Sequence, residues 1–305
     1  MKPHPFFIIG FQRSGTTLIR MMLDSHPDIA IPLDTVGLWA RYSDKLHEYG
    51  DVNDLAVQER LVRDLMAEER IQLWDLKRCA EDVLGAIRLP GWPGVIDAFH
   101  RVYAESRGKA IWGDKDPGNM TRMDLLVSWF PDARFIHIIR DGRDACLSQL
   151  NQSFGFNDLF PCAAAWREEV SWVRRIGRIF GPQRYHEFLY EDLVRNPEST
   201  LRGVCTFLGL AFDASMMHYH ERVSDAIPDS KRHIWPLIGE PPRASNAGVW
   251  RDRMSPSTRI CFEKRAGALL RELGYETLPG QPSGAYAEEL RQLMGYALRA
   301  IRRRR

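Results

Sequence analysis

The sequence contains no apolar run long enough to cross a membrane and no close pair of cysteines. Its first apolar stretch, Phe6–Ile9, is interrupted by Gly10 and Arg13, whereas a signal-peptide core needs about 7–15 apolar residues and a spanning helix about 20. The five cysteines are scattered at positions 79, 146, 162, 205 and 261. This pattern favours reduced thiols over a disulfide framework or a metal cluster. We therefore expect a cytoplasmic protein with no membrane span and no bound metal.

Neither sign of charge dominates the chain. Its 42 lysines and arginines and 40 aspartates and glutamates leave a net charge of +2, which argues against a nucleic-acid-binding protein. Lysine is scarce and occurs only at positions 2, 45, 77, 109, 115, 231 and 264. A lysine that ends a predicted strand, such as Lys115, is therefore a notable feature of this sequence.

Five short apolar runs alternate with helical patterns, at residues 6–10, 29–31, 109–113, 134–139 and 185–190. This alternation predicts an α/β fold, with a P-loop-like parallel sheet flanked by helices. No repeat or long linker divides the chain, so we predict a single domain over residues 1–305. Residues 36–108 predict a helical insertion after the second strand. Residues 227–250, rich in proline, glycine and arginine, predict a lid-like loop.

The first strand leads into a glycine-bracketed loop and a helix. Gly10 and Gly15 are spaced as in a phosphate loop, and Thr16 and Thr17 open the helix. Free backbone N–H groups at such a helix start form an anion site. Nucleotide triphosphatases have a lysine where this chain has Thr16, and that lysine reaches the terminal phosphates. Because Arg13 is the only cation inside the loop, the segment suits an anion of lower charge than a triphosphate.

Residues 12–29, QRSGTTLIRMMLDSHPDI, resemble the 5′-phosphosulfate loop of sulfotransferases that use PAPS (3′-phosphoadenosine 5′-phosphosulfate). They are most similar to the branch that contains tyrosylprotein sulfotransferases and many bacterial sulfotransferases. The resemblance implies that the donor's 5′-phosphosulfate is held by Arg13, Ser14, Gly15, Thr16 and Thr17. The expected cytoplasmic location departs from the animal tyrosylprotein enzymes, which are membrane-anchored in the secretory pathway.

A second segment, IIRDGRDACLS, places Arg140 at the end of a strand and Ser148 in the next helix. Ligands collect beyond the carboxyl ends of parallel strands, and an arginine fork with a serine hydroxyl suits a phosphate. The resemblance assigns both residues to the 3′-phosphate of PAPS. Asp141 and Arg143 are interpreted as structural. In the matching strand–turn–helix FLYEDL, Tyr190 is a candidate adenine contact, with a buried tyrosine that caps the strand as an equal alternative.

A later segment, GVWRDR, resembles the loop that closes over the 3′-phosphate in relatives. Relatives commonly carry a basic residue where this chain has Val249. Arg251 or Arg253 is expected to replace that contact, unless the backbone alone serves.

Sulfuryl transfer requires a group that accepts the acceptor's proton and cations near the leaving oxygen. The resemblance makes Asp34 the candidate base, in a place where relatives usually carry glutamate, although an aspartate here also suits a helix cap. His26 and His137 are weaker candidates, because we expect His26 to fix a turn and His137 to lie in the sheet. Lys115 and Arg13 are the candidate catalytic cations.

The sequence thus predicts a PAPS-dependent sulfotransferase that releases PAP, the desulfated nucleotide, and needs no metal. A kinase-like phosphotransferase or nucleotide switch is one alternative, and a catalytically degenerate PAP-binding protein is another. The acceptor stays open among a carbohydrate, a glycolipid, a phenol and a peptide tyrosine, and the oligomeric state is also open. Aromatic residues suit sugars or phenols, but we expect most of those in the insertion to be core.

Overall fold

The computed structural model describes residues 5–33, 35–150, 152, 155–222 and 238–279. Five strands form one parallel sheet in the order β2-β3-β1-β4-β5. Their bounds are β1 Phe6–Ile9, β2 Ile29–Ala30, β3 Ile111–Lys115, β4 Arg134–Ile139 and β5 Tyr185–Leu189. The predicted fold class, a parallel sheet flanked by helices, is confirmed.

Helix α1, Thr16–Asp24, connects β1 to β2, and a group of helices separates β2 from β3. That group contains α2 Leu38–Tyr49, α3 Leu55–Ala67, α4 Glu69–Gln72, α5 Ala80–Ala86 and α6 Gly91–Ser106. The remaining helices are α7 Met123–Trp129, α8 Gly142–Leu150, α9 Leu159–Phe180, α10 Tyr190–Arg195, α11 Pro197–Leu208, α12 Trp250–Arg253 and α13 Pro256–Glu272. Short 3₁₀ segments occupy Pro117–Arg122, Ala214–Arg222 and Ala244–Asn246. Of the predicted lid-like loop, residues 227–237 lie outside the described residues.

The central strand β1 is apolar on both faces because helices cover both faces. Phe7 and Ile9 belong to a core shared with α6, α9 and α13, whereas Phe6 and Ile8 belong to a core shared with α1 and α11. Successive strand residues point to opposite faces, so a fully covered strand shows a continuous apolar run. This burial on both faces is the physical reason for the sequence FFII.

Strand β3 extends further towards its carboxyl end than the apolar pattern indicates. The prediction placed it at 109–113, but the strand runs from Ile111 to Lys115. Lys109 instead donates to the carbonyls of Asp24 and Ile29, just before the strand. Parallel pairing continues to Lys115, which lies level with Ile8 of β1.

The aromatic residues of the insertion belong to the core rather than to an acceptor surface. All six that the sequence offered are buried, namely Trp39, Tyr42, Trp74, Trp92, Phe99 and Tyr103. Trp39 packs against three of the other rings, those of Trp74, Trp92 and Phe99, each at a centroid distance of 6.0 Å. The expectation that most of these aromatic residues are core is therefore confirmed.

The imidazole of His137 is buried in β4 as an uncharged group. The Tyr185 hydroxyl donates to Glu187 at 2.7 Å, so His137 Nδ1 donates to the tyrosine oxygen at 2.6 Å. Burial lowers the pKa of His137 to about 3. Below pH 6.5 the unfolded chain binds a proton that the folded chain does not.

We predict that His137 weakens the fold as the pH falls from 6.5 towards 3, by up to about 1.4 kcal/mol per pH unit. A His137→Gln variant should show a shallower loss of unfolding free energy between pH 6.5 and 5 in urea titrations. Equal slopes for the variant and the wild type would contradict the assignment.

Candidate active site

The site lies where the chain leaves two neighbouring central strands in opposite directions. From β1 the chain runs through α1 to the edge strand β2, and from β4 it runs through α8 and α9 to the opposite edge strand β5. In open α/β sheets this reversal opens a crevice at the carboxyl ends of the strands. The loop at residues 10–15 and the turn at 140–142 both border it.

The loop after β1 is held tightly and offers unsatisfied donors. Gly15 has a φ of 94° and begins α1 without any side-chain cap, which leaves the first N–H groups of the helix for an anion. A Cβ on Gly10 would lie 2.6 Å from the carbonyl oxygen of Ile138, so the loop packs directly on β4. The buried hydroxyl of Ser14 has no hydrogen-bond partner among the described residues. These features fit a bound oxyanion.

Three of the predicted donor-binding residues meet in one cluster, although the sequence separates them by up to 135 positions. Arg13 Nε donates to Ser148 Oγ at 3.1 Å, and Arg140 Nη1 donates to the carbonyl oxygen of Arg13 at 3.0 Å. Burial and the neighbouring charge of Arg140 lower the pKa of Arg13. Two adjacent guanidinium groups repel one another, and an anion between them would offset that repulsion.

Arg140 also bridges the loop and the segment before α12. Its Nη2 donates to the carbonyl oxygen of Asn246 at 2.6 Å, and its guanidinium lies 4.5 Å from the centre of the Tyr190 ring. The third guanidinium nitrogen of Arg140, Nε, is buried and has no hydrogen-bond partner within the described part of the chain. A Cβ on Gly15 would meet the Tyr190 ring at 2.6 Å. Tyr190 is therefore wedged between the loop and Arg140.

The segment that carries Val249 is fastened to α8 by one carboxylate. Asp144 accepts hydrogen bonds from the backbone N–H groups of Gly248 at 2.6 Å and Trp250 at 2.7 Å. Burial raises the pKa of Asp144, although Arg140 and the two N–H groups favour its charged form. Arg251 stacks on Trp250 at 4.8 Å and pairs with Glu276 at 3.1 Å. The structure thus directs the Arg251 side chain to the carboxyl-terminal part of the chain.

On the acceptor side, Lys115 is the buried last residue of β3 and lies beside β1. Each of the two flanking aspartates also has partners on other elements. Asp116 accepts from the backbone N–H groups of Gly37 at 2.6 Å and Gly118 at 2.8 Å, and Asp114 faces His100 at 3.7 Å. Burial raises the pKa of Asp116. Asp34, the candidate base, lies outside the described residues.

The two histidines that were weaker candidates have the expected structural places. His26 Nδ1 accepts from the N–H of Asp28 at 3.0 Å, and its Nε2 lies 3.0 Å from the carbonyl oxygen of Ala211, so it fixes the turn after α1. His137 lies in the sheet. Asp141 and Arg143 pair locally through two contacts, of 3.0 and 2.7 Å.

One arginine that the sequence analysis did not single out holds the chain just after β2. Arg20, on α1, is 1% exposed and donates from Nε to the carbonyl oxygen of Ile31 at 3.0 Å. Asp24, one turn later on α1, accepts a hydrogen bond from the N–H of Ile31 at 2.8 Å. Both groups therefore fix the chain shortly before position 34. The sequence signal for this role is a charged residue, Arg20, among the leucine and methionine residues of α1, because a buried charge needs a fixed partner.

Among the described residues, no three histidine, cysteine, aspartate or glutamate side chains are grouped so as to hold a metal ion. Over those same ranges, the helices are too short or too polar to cross a bilayer.

A model of the sulfotransferase family matches residues 5–214, more than half of the chain. The chain belongs to the sulfotransferase family. It is 25% identical over 233 residues to a protein-tyrosine sulfotransferase of Drosophila melanogaster, across 74% of this chain and 42% of that protein. It is 25% identical over 287 residues to protein-tyrosine sulfotransferase 1 of Homo sapiens, across 91% of this chain and 71% of that protein. The chain thus spans less than half the length of the fly relative. The resemblance inferred from residues 12–29 is confirmed.

The fold of this chain is also found in a solved bacterial structure. The sulfotransferase domain of the Synechococcus PCC 7002 olefin synthase superposes with a TM-score of 0.65 at 24% identity, covering 91% of this chain and 97% of that one. At this level of identity the match establishes the shared fold.

We predict that Gly15→Ala abolishes measurable binding of PAP. The new Cβ would both strain a φ of 94° and collide with the Tyr190 ring at 2.6 Å, so the loop would have to move. The matched control is Gly209→Ala, which lies in the same left-handed region at a φ of 78° and where no atom lies within 4 Å of the new Cβ. It carries the backbone strain alone, about 1 kcal/mol, and should bind PAP like the wild type. Calorimetric titration and thermal melts measure both effects, and wild-type affinity in Gly15→Ala would refute the role of the loop.

Proposed function

We propose that the protein transfers a sulfuryl group from PAPS to a hydroxyl or amine acceptor by in-line displacement and releases PAP. The observation that carries this proposal is the cluster of Arg13, Arg140 and Ser148 beside the uncapped start of α1. Family membership supports the reaction class. The cluster supports a donor with two anionic groups.

The donor would be held by two sets of groups. The N–H groups at the start of α1, with the hydroxyls of Ser14, Thr16 and Thr17, suit the 5′-phosphosulfate. Arg140 and Ser148 suit the 3′-phosphate, because a guanidinium fork and a hydroxyl both match phosphate oxygens. Ser14 Oγ and Arg140 Nε are buried and have no hydrogen-bond partner among the described residues, so they are donors of the kind that such a ligand needs.

PAPS supplies the sulfuryl group. A bond forms between the acceptor oxygen or nitrogen and sulfur, while the bond between sulfur and the 5′-phosphate oxygen breaks. We assign Asp34 as the base that accepts the acceptor's proton. Lys115 and Arg13 would stabilise the charge that develops on the leaving phosphate oxygen. Because a sulfuryl group brings only one negative charge, these side chains can perform the charge stabilisation that kinases obtain from magnesium.

The names of the curated relatives favour the hydroxyl of a peptide tyrosine as the first acceptor to test. Carbohydrates, glycolipids and small phenols are the other acceptors that we propose to test. The cytoplasmic location and the single domain stay predictions.

We predict that the protein binds PAP with a Kd at or below the micromolar range and shows no measurable binding of ATP with magnesium. Arg140→Ala should weaken PAP binding by roughly 10- to 100-fold, the loss expected for about 1.5–3 kcal/mol of charge-assisted hydrogen bonding. The control is Arg202→Ala, which removes an exposed arginine paired with Glu198. Isothermal titration measures the Kd for PAP of the wild type, of Arg140→Ala and of Arg202→Ala. Tighter binding of ATP with magnesium than of PAP would refute the proposal and favour a kinase-like phosphotransferase.

A second variant separates chemistry from donor binding. Asp34→Asn should lower kcat for sulfuryl transfer by about 10²–10⁴-fold, the typical contribution of a general base, and leave the affinity for PAP unchanged. Transfer of labelled sulfate from PAPS to a tyrosine peptide or to 2-naphthol provides the assay. Wild-type protein that binds PAP but transfers no sulfate to any acceptor would favour the degenerate PAP-binding alternative.

A further inference from the structure

One buried carboxylate joins α8 to the segment 246–250, which leads into α12. The side chain of Asp144 is 0% exposed, and it accepts hydrogen bonds from the N–H groups of Gly248 at 2.6 Å and Trp250 at 2.7 Å, across 104 and 106 positions of sequence. Gly248 has a φ of 80°, a left-handed conformation in which glycine turns the chain without strain. The carboxylate therefore holds a turn of the backbone at and just after Gly248.

The same turn is also held by Arg140, which we assign to the 3′-phosphate of the donor. Nη2 of Arg140 donates to the carbonyl oxygen of Asn246 at 2.6 Å, and Nη1 donates to the carbonyl oxygen of Arg13 at 3.0 Å. The place of Asn246 thus sets the direction of one of the two terminal nitrogens of the guanidinium. Because Asp144 holds the residues that follow Asn246, it acts on Arg140 through this stretch of backbone.

A direct role of Asp144, in which it only offsets the charge of Arg140, is the competing explanation. Asp144 Oδ2 lies 3.9 Å from Nη2 of Arg140 but 2.6 Å from the backbone nitrogen of Gly248. Hydrogen bonds from nitrogen to oxygen extend to about 3.2 Å, so the carboxylate bonds to the segment and not to the guanidinium. The two explanations predict opposite results. A carboxylate that only offsets charge weakens the binding of a phosphate, whereas one that supports Arg140 strengthens it.

The Trp250 side chain keeps α12 attached without help from Asp144. Its ring is 2% exposed and packs against the guanidinium groups of Arg143 at 3.7 Å and Arg259 at 4.5 Å. Loss of one hydrogen bond to Asp144 should therefore loosen the turn at Gly248 and leave α12 in place.

We propose that Asp144 is a positioning residue for the donor nucleotide, which holds the turn at Gly248 so that the carbonyl of Asn246 orients Arg140 for the 3′-phosphate. The inference rests on the proposed function and deepens it, because it assigns part of the selectivity for a 3′-phosphorylated donor to a residue that does not touch the donor. An arginine that is already oriented loses less side-chain entropy on binding a phosphate than one that rotates freely.

The variant Asp144→Asn provides the test, because an amide has the shape of the carboxylate but only one acceptor oxygen. The turn then loses one of its two hydrogen bonds to α8. We expect the Kd for PAP to rise about tenfold, within the range for one hydrogen bond to a charged group. The Kd for 5′-AMP, which is PAP without the 3′-phosphate, should stay within about twofold of the wild type. Calorimetry gives the Kd for PAP, and displacement of PAP gives the Kd for AMP.

A double variant separates action through Arg140 from a general effect on the fold. In the Arg140→Ala background, Asp144→Asn should change the Kd for PAP by less than about twofold, because residues that act as one unit are not additive. The control is Asp54→Asn. Asp54 also accepts from two backbone N–H groups, those of Ala56 and Val57, but it lies at the exposed start of α3, so both constants should stay unchanged. Thermal melts report whether each variant is folded.

Three results would overturn the inference. Unchanged or tighter PAP binding in Asp144→Asn would show that the carboxylate does not support Arg140. Equal losses for PAP and AMP would assign Asp144 a general structural role. A tenfold loss that persists in the Arg140→Ala background would show that Asp144 does not act through Arg140.

Hydrogen exchange of the wild type tests the same inference without any substitution, and so covers the case in which Asp144→Asn does not fold. The backbone of residues 246–250 should exchange more slowly when PAP is bound than when AMP is bound, because only PAP carries the 3′-phosphate that engages Arg140. Equal protection by PAP and AMP would overturn the inference.

Failure of the proposed function gives a different result. Wild-type protein that binds no PAP would remove both the proposed function and this inference. Wild-type protein that binds PAP with an affinity insensitive to Asp144→Asn would remove the inference alone.

Discussion

The candidate donor-binding site depends on two like charges, Arg13 and Arg140, that lie side by side at the carboxyl ends of β1 and β4. Arg13 and Arg140 are both largely buried, and burial together with the charge of Arg140 lowers the pKa of Arg13. Each guanidinium is oriented by a neutral oxygen, from Ser148 and from the backbone of Arg13, and Asp144 lies 3.9 Å from Arg140. Asp144 offsets part of the charge of Arg140, and an anion bound between the two guanidinium groups would offset their repulsion further.

Arg140 also joins the loop to the segment that carries Val249. That segment is held through backbone groups, as Arg140 binds the carbonyl of Asn246 and Asp144 binds the N–H of Gly248. Arg140 therefore links the loop and this segment through the two backbone carbonyls that it binds. Arg251 pairs with Glu276 and stacks on Trp250, and its contact with the donor stays a prediction.

The sequence predicts well those parts of the molecule whose signals are local. The buried run at β1, the glycine-bracketed loop and the strand before Arg140 are each specified by neighbouring residues, so their places follow from periodicity and turn chemistry. The tasks of Asp114 and Asp116 could not be predicted, because their partners His100 and Gly37 lie far away in the sequence. Six aromatic residues of the insertion were expected to be mostly core, and the structure buries all six in one cluster around Trp39.

Helix α1 connects the donor side to the acceptor side within nine residues. Its first turn offers N–H groups to an anion, while Arg20 and Asp24 on its later turns hold the carbonyl and the N–H of Ile31. The chain just after β2 is therefore held by the same helix that begins at the loop after β1. The bond from Thr35 to the carbonyl of Lys115 adds a second attachment, to a strand that is fixed by pairing with β1 and β2. Because both attachments lead back to β1, the loop after β1 and the chain after β2 share one rigid support in the central sheet.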